Sequence, residues 1–220
     1  MRFHDRAEAG KLLAEALAEK YKNADAVIYP LPRGGVPLGI EVAHSLHMPL
    51  DLIIPRKIGH PFSPEYAICA VSENGDTVCN EREVASVDPD WFTQRVKQER
   101  EESRRRRDSF MGEREHLPVE GKVAILVDDG IATGLTMRAA IHDARERKAA
   151  KIVVAIPVVP KDTAEMLRKQ VDDVVALSID AHYLGAVGAY YHDFRQYEDD
   201  EVITMINQFY EKHSQQASAN

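Results

Sequence analysis

The chain has 220 residues, a length that suits one domain. It is 44% hydrophobic and 29% charged, which is enough to bury a core and excludes a disordered acidic segment. Its 28 Lys and Arg against 36 Asp and Glu leave a net charge of −8, which argues against a general nucleic-acid or anionic-membrane binder, so any anionic ligand needs a locally built site.

From the N-terminus, Ala9, Leu12, Leu13, Ala16 and Leu17 recur at helical spacing. Asp5 is placed to cap this helix, with Glu8 three residues on. This opening has scattered acids and no continuous apolar stretch, so neither a leader nor a membrane span is expected, and the expected location is the cytoplasm. A strand at 26–29 stops at Pro30-Leu31-Pro32-Arg33-Gly34-Gly35. Val36, Ile40, Ala43 and Leu46 then mark a helix that tolerates Pro37 in its first turn. A second strand is expected at 50–54, completing a unit of the kind that builds parallel sheets.

Residues 57–66 contain two prolines and a glycine and are expected to form an irregular loop. Strands at 67–72 and 77–80 should turn at Asn74-Gly75. They carry Cys69 and Cys79; two cysteines make no disulfide framework, no CxxC pair suggests zinc, and buried reduced thiols are expected. Asp88-Pro89 opens a long charged helix to about residue 111, with Glu101/Arg105 and Glu102/Arg106 at i,i+4. The run 97–107 holds six basic and three acidic residues, and a solvated, salt-bridged helix accounts for it better than an RNA contact. His44 and His47 have no third ligand in sight, so no metal site is assigned to them.

The second half repeats the alternation. Residues 122–127 form a strand too apolar to alternate, as befits one covered on both faces. A glycine- and threonine-bearing loop follows, then a helix with Met137, Ala140, Ile141 and Ala144 on one face. A strand at 151–158 leads to a helix carrying Ala164, Leu167 and Val171, for which Asp162 and Glu165 form a capping box. A strand at 174–177, an aromatic stretch at 182–194 and a helix with Val202, Ile206, Phe209 and Tyr210 complete the chain, with a disordered tail expected from Ser214. The expected architecture is one α/β domain over 1–213: a mainly parallel twisted sheet flanked by helices, with small hood and flap elements and a C-terminal helix.

Asp128-Asp129-Gly130-Ile131-Ala132-Thr133-Gly134-Leu135-Thr136 lies where ligands bind in open α/β sheets, beyond the carboxyl end of a strand. Gly130 and Gly134 let successive N–H groups converge, and the following helix adds free donors and its positive dipole end. Thr133 and Thr136 offer hydroxyls to the same anion. Two adjacent carboxylates would repel a phosphate, so they should face vicinal sugar hydroxyls or a hydrated Mg²⁺. An ordinary turn capped by Asp and Thr is the plainer alternative. There is no GxxxxGK[ST] and no GxGxxG, so a P-loop nucleotidase and a Rossmann fingerprint are excluded. Arg33-Gly34-Gly35 could present amides and a guanidinium to a diphosphate, or be a turn with a surface arginine. Arg56 and Lys57 would add positive charge at the same mouth.

Residues 123–136, VAILVDDGIATGLT, resemble the signature of the type I phosphoribosyltransferases, and the element order is similar over about residues 24–180. The resemblance implies a fold of that type and a donor, 5-phosphoribosyl 1-pyrophosphate. Gly130, Ile131, Ala132, Thr133, Gly134, Leu135 and Thr136 would hold its 5-phosphate, and Asp128 and Asp129 its ribose hydroxyls. Arg33, Gly34 and Gly35 would take the diphosphate with Arg56 and Lys57; family members often carry an unusual cis peptide in that loop. Asp128, Asp129, Arg33 and Lys57 are the residues to which catalysis is assigned. Mg²⁺ is the implied cofactor, carried by the donor and reached by Asp128 and Asp129 through water at most. Residues 57–66 would be a mobile flap, in which Glu65 is the lone carboxylate. Oxopurine-specific members place an acid where Ala132 stands, so the acceptor and its general base stay open. Tyr183, Tyr190, Tyr191 and Phe194 suit either a hood over a base or the core. The implied activity is Mg²⁺-dependent transfer of the phosphoribosyl group to a nitrogen acceptor in a cytoplasmic homodimer, with neither nucleic acid nor membrane as partner. A non-catalytic regulator that binds the same donor is the alternative, and a sugar-phosphate hydrolase a third.

Overall fold

The computed structural model describes residues 1–218, with side chains through Ser214. In chain order the elements are α1 (Arg6–Tyr21), β1 (Ala26–Pro30), α2 (Gly35–Leu46), β2 (Arg56–His60), β3 (Ser63–Val71), β4 (Thr77–Cys79), α3 (Glu81–Val84), α4 (Pro89–Met111), β5 (Val123–Val127), α5 (Leu135–Glu146), β6 (Lys151–Pro160), α6 (Lys161–Arg168), β7 (Asp173–Asp180), a 3-10 turn (Val187–Tyr190) and α7 (Asp199–Ser218). A parallel sheet ordered β1-β5-β6-β7 forms the centre. Its middle strands are buried on both faces, which is why β5 and β6 read as unbroken apolar runs.

One face of the sheet packs on α1, α2 and α7 through Leu13, Leu17, Val42 and Ile206. The other packs on α5 and α6 through Met137, Ile141, Ala164 and Leu167. Asp5 caps α1 by accepting the Glu8 N–H at 2.8 Å, and the Glu8 carboxylate reaches back to the His4 N–H. Asp88 caps α4 in the same way, accepting the Trp91 N–H at 2.7 Å. On α4, Glu102 binds both Arg105 and Arg106.

Several expectations are corrected. Residues 50–54 form no strand: beyond one bridge from Ile28 to Leu50 the ladder stops. The Asp51 carboxylate takes the N–H groups of Leu52 and Leu117 at 2.7 and 2.9 Å, offering this backbone partners outside a sheet. The stretch 57–66, expected to be irregular, is a β-hairpin that belongs with β4 to a second sheet ordered β2-β3-β4. A register irregularity at Gly59 and His60 takes up the prolines, and a Cβ on Gly59 would lie 1.9 Å from the Pro64 carbonyl oxygen. This sheet buries Ile58, Ile68 and Val71 under Trp91, Phe92 and Val96 of α4.

Cys69 and Cys79 are not free thiols. They sit opposite each other in the β3–β4 register, 4.0 Å apart at Cα, and are joined as a disulfide. The Asp162–Glu165 capping box does not form, because β6 runs into α6 without a break and Pro160 occupies the cap position. Helix α7 continues past Ser214 to Ser218, where a tail was expected. Residues 219–220 of that expected tail lie outside the described residues.

Candidate functional site

The carboxyl ends of β1 and β5 bring two loops side by side. Leu31 N–H donates to the Val127 carbonyl at 2.9 Å, which ties the first residue after β1 to the last residue of β5. A Cβ on Gly34 would lie 2.1 Å from Asp129 Oδ2, and one on Gly35 would lie 2.6 Å from the Val127 carbonyl oxygen. Only glycines permit this approach. The Pro32–Arg33 peptide just before these glycines is cis.

Beyond β5 lies a cavity of about 300 Å³, floored by Asp128, Asp129 and the loop to Thr136 and walled by Lys57, Val187 and Phe194. Gly134 sits at φ +79° and turns the chain into α5. The first intrahelical bond of α5 is Arg138 N–H to the Gly134 carbonyl at 2.9 Å, so the amides of the first turn precede the ladder. Thr133 is exposed at the rim. Not every residue of this loop faces the cavity as a donor. Ile131 gives its N–H to the Val158 carbonyl at 3.0 Å and its side chain to the core. A Cβ on Gly130 would lie 2.5 Å from Val187 Cγ1, so the 3-10 turn packs directly on the loop.

The two acids are held differently. Asp128 Oδ1 accepts the Asp129 N–H at 2.9 Å. Asp129 Oδ2 receives both Nε and Nη2 of Arg6 at 2.8 Å. Burial, with the Asp129 charge added to it, pushes the Asp128 carboxyl well above the usual carboxylate range. Burial also raises Asp129, while Arg6 and Lys57 oppose the rise. Each acid keeps one oxygen, Oδ2 of Asp128 and Oδ1 of Asp129, outside these bonds.

Of the three cations expected at the mouth, the structure brings Lys57 to the cavity. Arg56 instead pairs with the buried Glu99 at 2.9 Å, and Arg33 turns its guanidinium toward Glu198 and Asp199 at 3.5 Å. Arg56 and Glu99, with Glu65, Trp91 and Arg95, line a second cavity of about 470 Å³ between the β2–β3 hairpin and α4, and Lys57 borders both cavities. The aromatic stretch divides between core and site. Tyr190 and Tyr191 are buried, Tyr191 Oη donates to the Asp129 carbonyl at 2.6 Å, and Phe194 lines the cavity.

Arg6 was missed. Its one trace in the sequence is a cation in the first turn of a helix, where the macrodipole disfavours it, so a partner elsewhere is needed. Among the described residues no group of three or more His, Cys, Asp or Glu could hold a metal, and no helix is long and apolar enough to cross a membrane.

Comparison with known proteins gives a concordant result. The phosphoribosyl transferase domain family matches residues 3–194. Two Mycobacterium tuberculosis proteins, from strains CDC 1551 and H37Rv and each provisionally named a phosphoribosyl transferase, are 41% identical over 207 residues. The match covers 93% of this chain and 46% of theirs, so the chain spans about half the length of these curated relatives. The crystal structure of TT1426 from Thermus thermophilus is 37% identical, with a TM-score of 0.79 over 95% of this chain and 99% of that one.

Proposed function

The chain belongs to the phosphoribosyl transferase domain family, and on that premise we propose that it transfers the phosphoribosyl group of 5-phosphoribosyl 1-pyrophosphate to a nitrogen acceptor, releasing pyrophosphate. The observation that carries this reading is the pair of half-buried acids, each with one oxygen outside the bonds described above, beside the first-turn amides of α5. Two such oxygens suit the two vicinal hydroxyls of a ribose, and the amides with Thr133 and Thr136 suit its 5-phosphate.

In this reading Asp128 and Asp129 fix the sugar, and residues 130–136 hold its phosphate, with the Ile131 amide left out. The backbone of Arg33, Gly34 and Gly35 would take the diphosphate, with Lys57 across the cavity, while the Arg33 guanidinium stays turned toward Glu198 and Asp199. The acceptor nitrogen forms its bond to C1 as the C1–oxygen bond breaks, and the electron pair of that bond leaves with pyrophosphate. Lys57 offsets charge developing on the leaving group. Arg56, tied to Glu99, acts at a distance. Two free carboxylate oxygens are too few for a resident metal but fit a hydrated Mg²⁺ brought in by the donor, and that ion would further neutralise the diphosphate. Ala132 supplies no general base. A homodimer is part of the same proposal and rests on the family resemblance alone, whereas the cytoplasmic location expected from the residues has the Cys69–Cys79 disulfide against it.

Titration calorimetry with the donor and Mg²⁺ tests the assignment. The protein should bind, and the Asp128→Asn, Asp129→Asn double variant should show no measurable binding; an unchanged affinity would refute it. Pyrophosphate release with a panel of nitrogen bases then separates a transferase from a protein that only senses the donor.

A further inference from the structure

The side chain of Arg6 spends its guanidinium on three partners at once. Nε and Nη2 converge on Asp129 Oδ2 at 2.8 Å, and Nη1 donates to the Arg195 carbonyl at 2.8 Å. The guanidinium carbon also lies 3.9 Å from the centroid of the Phe194 ring. Tyr197 and Tyr191 approach at 5.4 and 6.0 Å, and the side chain is 6% exposed. The helix that opens the chain is thus joined in one place to an acid of the β5–α5 loop and to the segment that walls the cavity.

We propose that Arg6 is a positioning residue for the donor sugar: it holds Asp129 so that Oδ1 alone faces the cavity, and it locks that carboxylate to the Phe194 wall. This rests on the donor reading above. Both of its bonds to Asp129 end on the same oxygen, which a stability device would not require. A buried ion pair is in any case a weak source of stability. What the arrangement does achieve is to remove one oxygen and one rotational freedom from an acid at the ligand surface. With Asp128 Oδ1 already engaged by the Asp129 amide, two oxygens remain, one from each acid. The flat, forked guanidinium suits this task, because it can stack on a ring while its edge makes two in-plane bonds. A lysine ammonium in its place keeps the charge and loses both the fork and the stack.

The test uses a preference measured within each protein. Calorimetry compares ribose 5-phosphate with its 2,3-dideoxy analogue, which keeps the phosphate and lacks the hydroxyls that the acids would read. Wild type should prefer the hydroxylated sugar by about tenfold or more, the scale of hydrogen bonds to charged groups. In Arg6→Lys and in the uncharged Arg6→Gln the preference should fall to roughly threefold or less, and adding Asp129→Asn should lower it little further, since residues acting through one another are non-additive. Variants that keep the wild-type preference would overturn the role of Arg6 while leaving the donor reading in place. A wild type with no preference would overturn both.

Discussion

Asp51 is fully buried, and its carboxylate gathers partners from distant parts of the chain. It accepts from Arg107 Nη2 at 3.0 Å and from the amides of Leu52 and Leu117, and it faces the His116 ring at 3.3 Å. Burial alone would raise its pKa, but His116, Arg107 and the two amides outweigh it and hold the group below the ordinary carboxylate range. A depressed folded-state pKa means stability that is present above the unfolded value, about 3.9, and lost as pH falls through the lower folded value. Asp51→Asn should therefore cost about 3 kcal/mol or more in urea unfolding at pH 7, because it leaves Arg107 buried without its charge partner. The gap from wild type should shrink as pH falls below the unfolded value, as the wild-type carboxylate itself takes up a proton; an equal gap at neutral and at acid pH would contradict this. Asp51 stands in the sequence as one acid among apolar residues, so nothing local distinguishes it from the polar face of a strand. Asp128 and Asp129 were legible because glycines and threonines at fixed spacing follow them. Arg6 and Asp51 were not, since their partners are separated from them by 123 and 56 residues.

Among the elements, the β2–β3–β4 sheet departs most from what periodicity suggests. Prolines at 61 and 64 read as strand breakers, yet the turn and the irregular register beside it accept both. The disulfide was within reach of a simple argument. A turn at Asn74-Gly75 that pairs Val71 with Thr77 must also pair Cys69 with Cys79. Compartment reasoning outweighed register in the expectation of free thiols, and the disulfide sits at odds with a reducing cytoplasm. Closing a short loop, it should stabilise the sheet by about 2 kcal/mol. Thermal unfolding with a dithiol reductant should show a lower melting temperature than without it. Coincident curves would mean that the cystine contributes nothing to the folded hairpin. Helix α4 was legible to its ends, because Asp88-Pro89 supplies both a cap and a first-turn proline.

For the whole molecule, alternation of apolar strands and amphipathic helices was enough to give the four parallel strands and to place the β5–α5 loop at their carboxyl edge, but it also predicted a strand at 50–54 that does not form. How the surrounding segments close on that edge was not legible. Arg33 meets Glu198 across 165 residues of sequence, and the 3-10 turn presses Val187 onto Gly130. Such contacts depend on where α7 and the segment before it dock, which the helical spacing of Val202, Ile206 and Phe209 does not encode. A structure determined with 5-phosphoribosyl 1-pyrophosphate and Mg²⁺ tests the central claim most directly. The account predicts ribose hydroxyls on Asp128 Oδ2 and Asp129 Oδ1, with the 5-phosphate on the first-turn amides of α5. A donor seated instead in the cavity between the β2–β3 hairpin and α4, with both acids untouched, would contradict it.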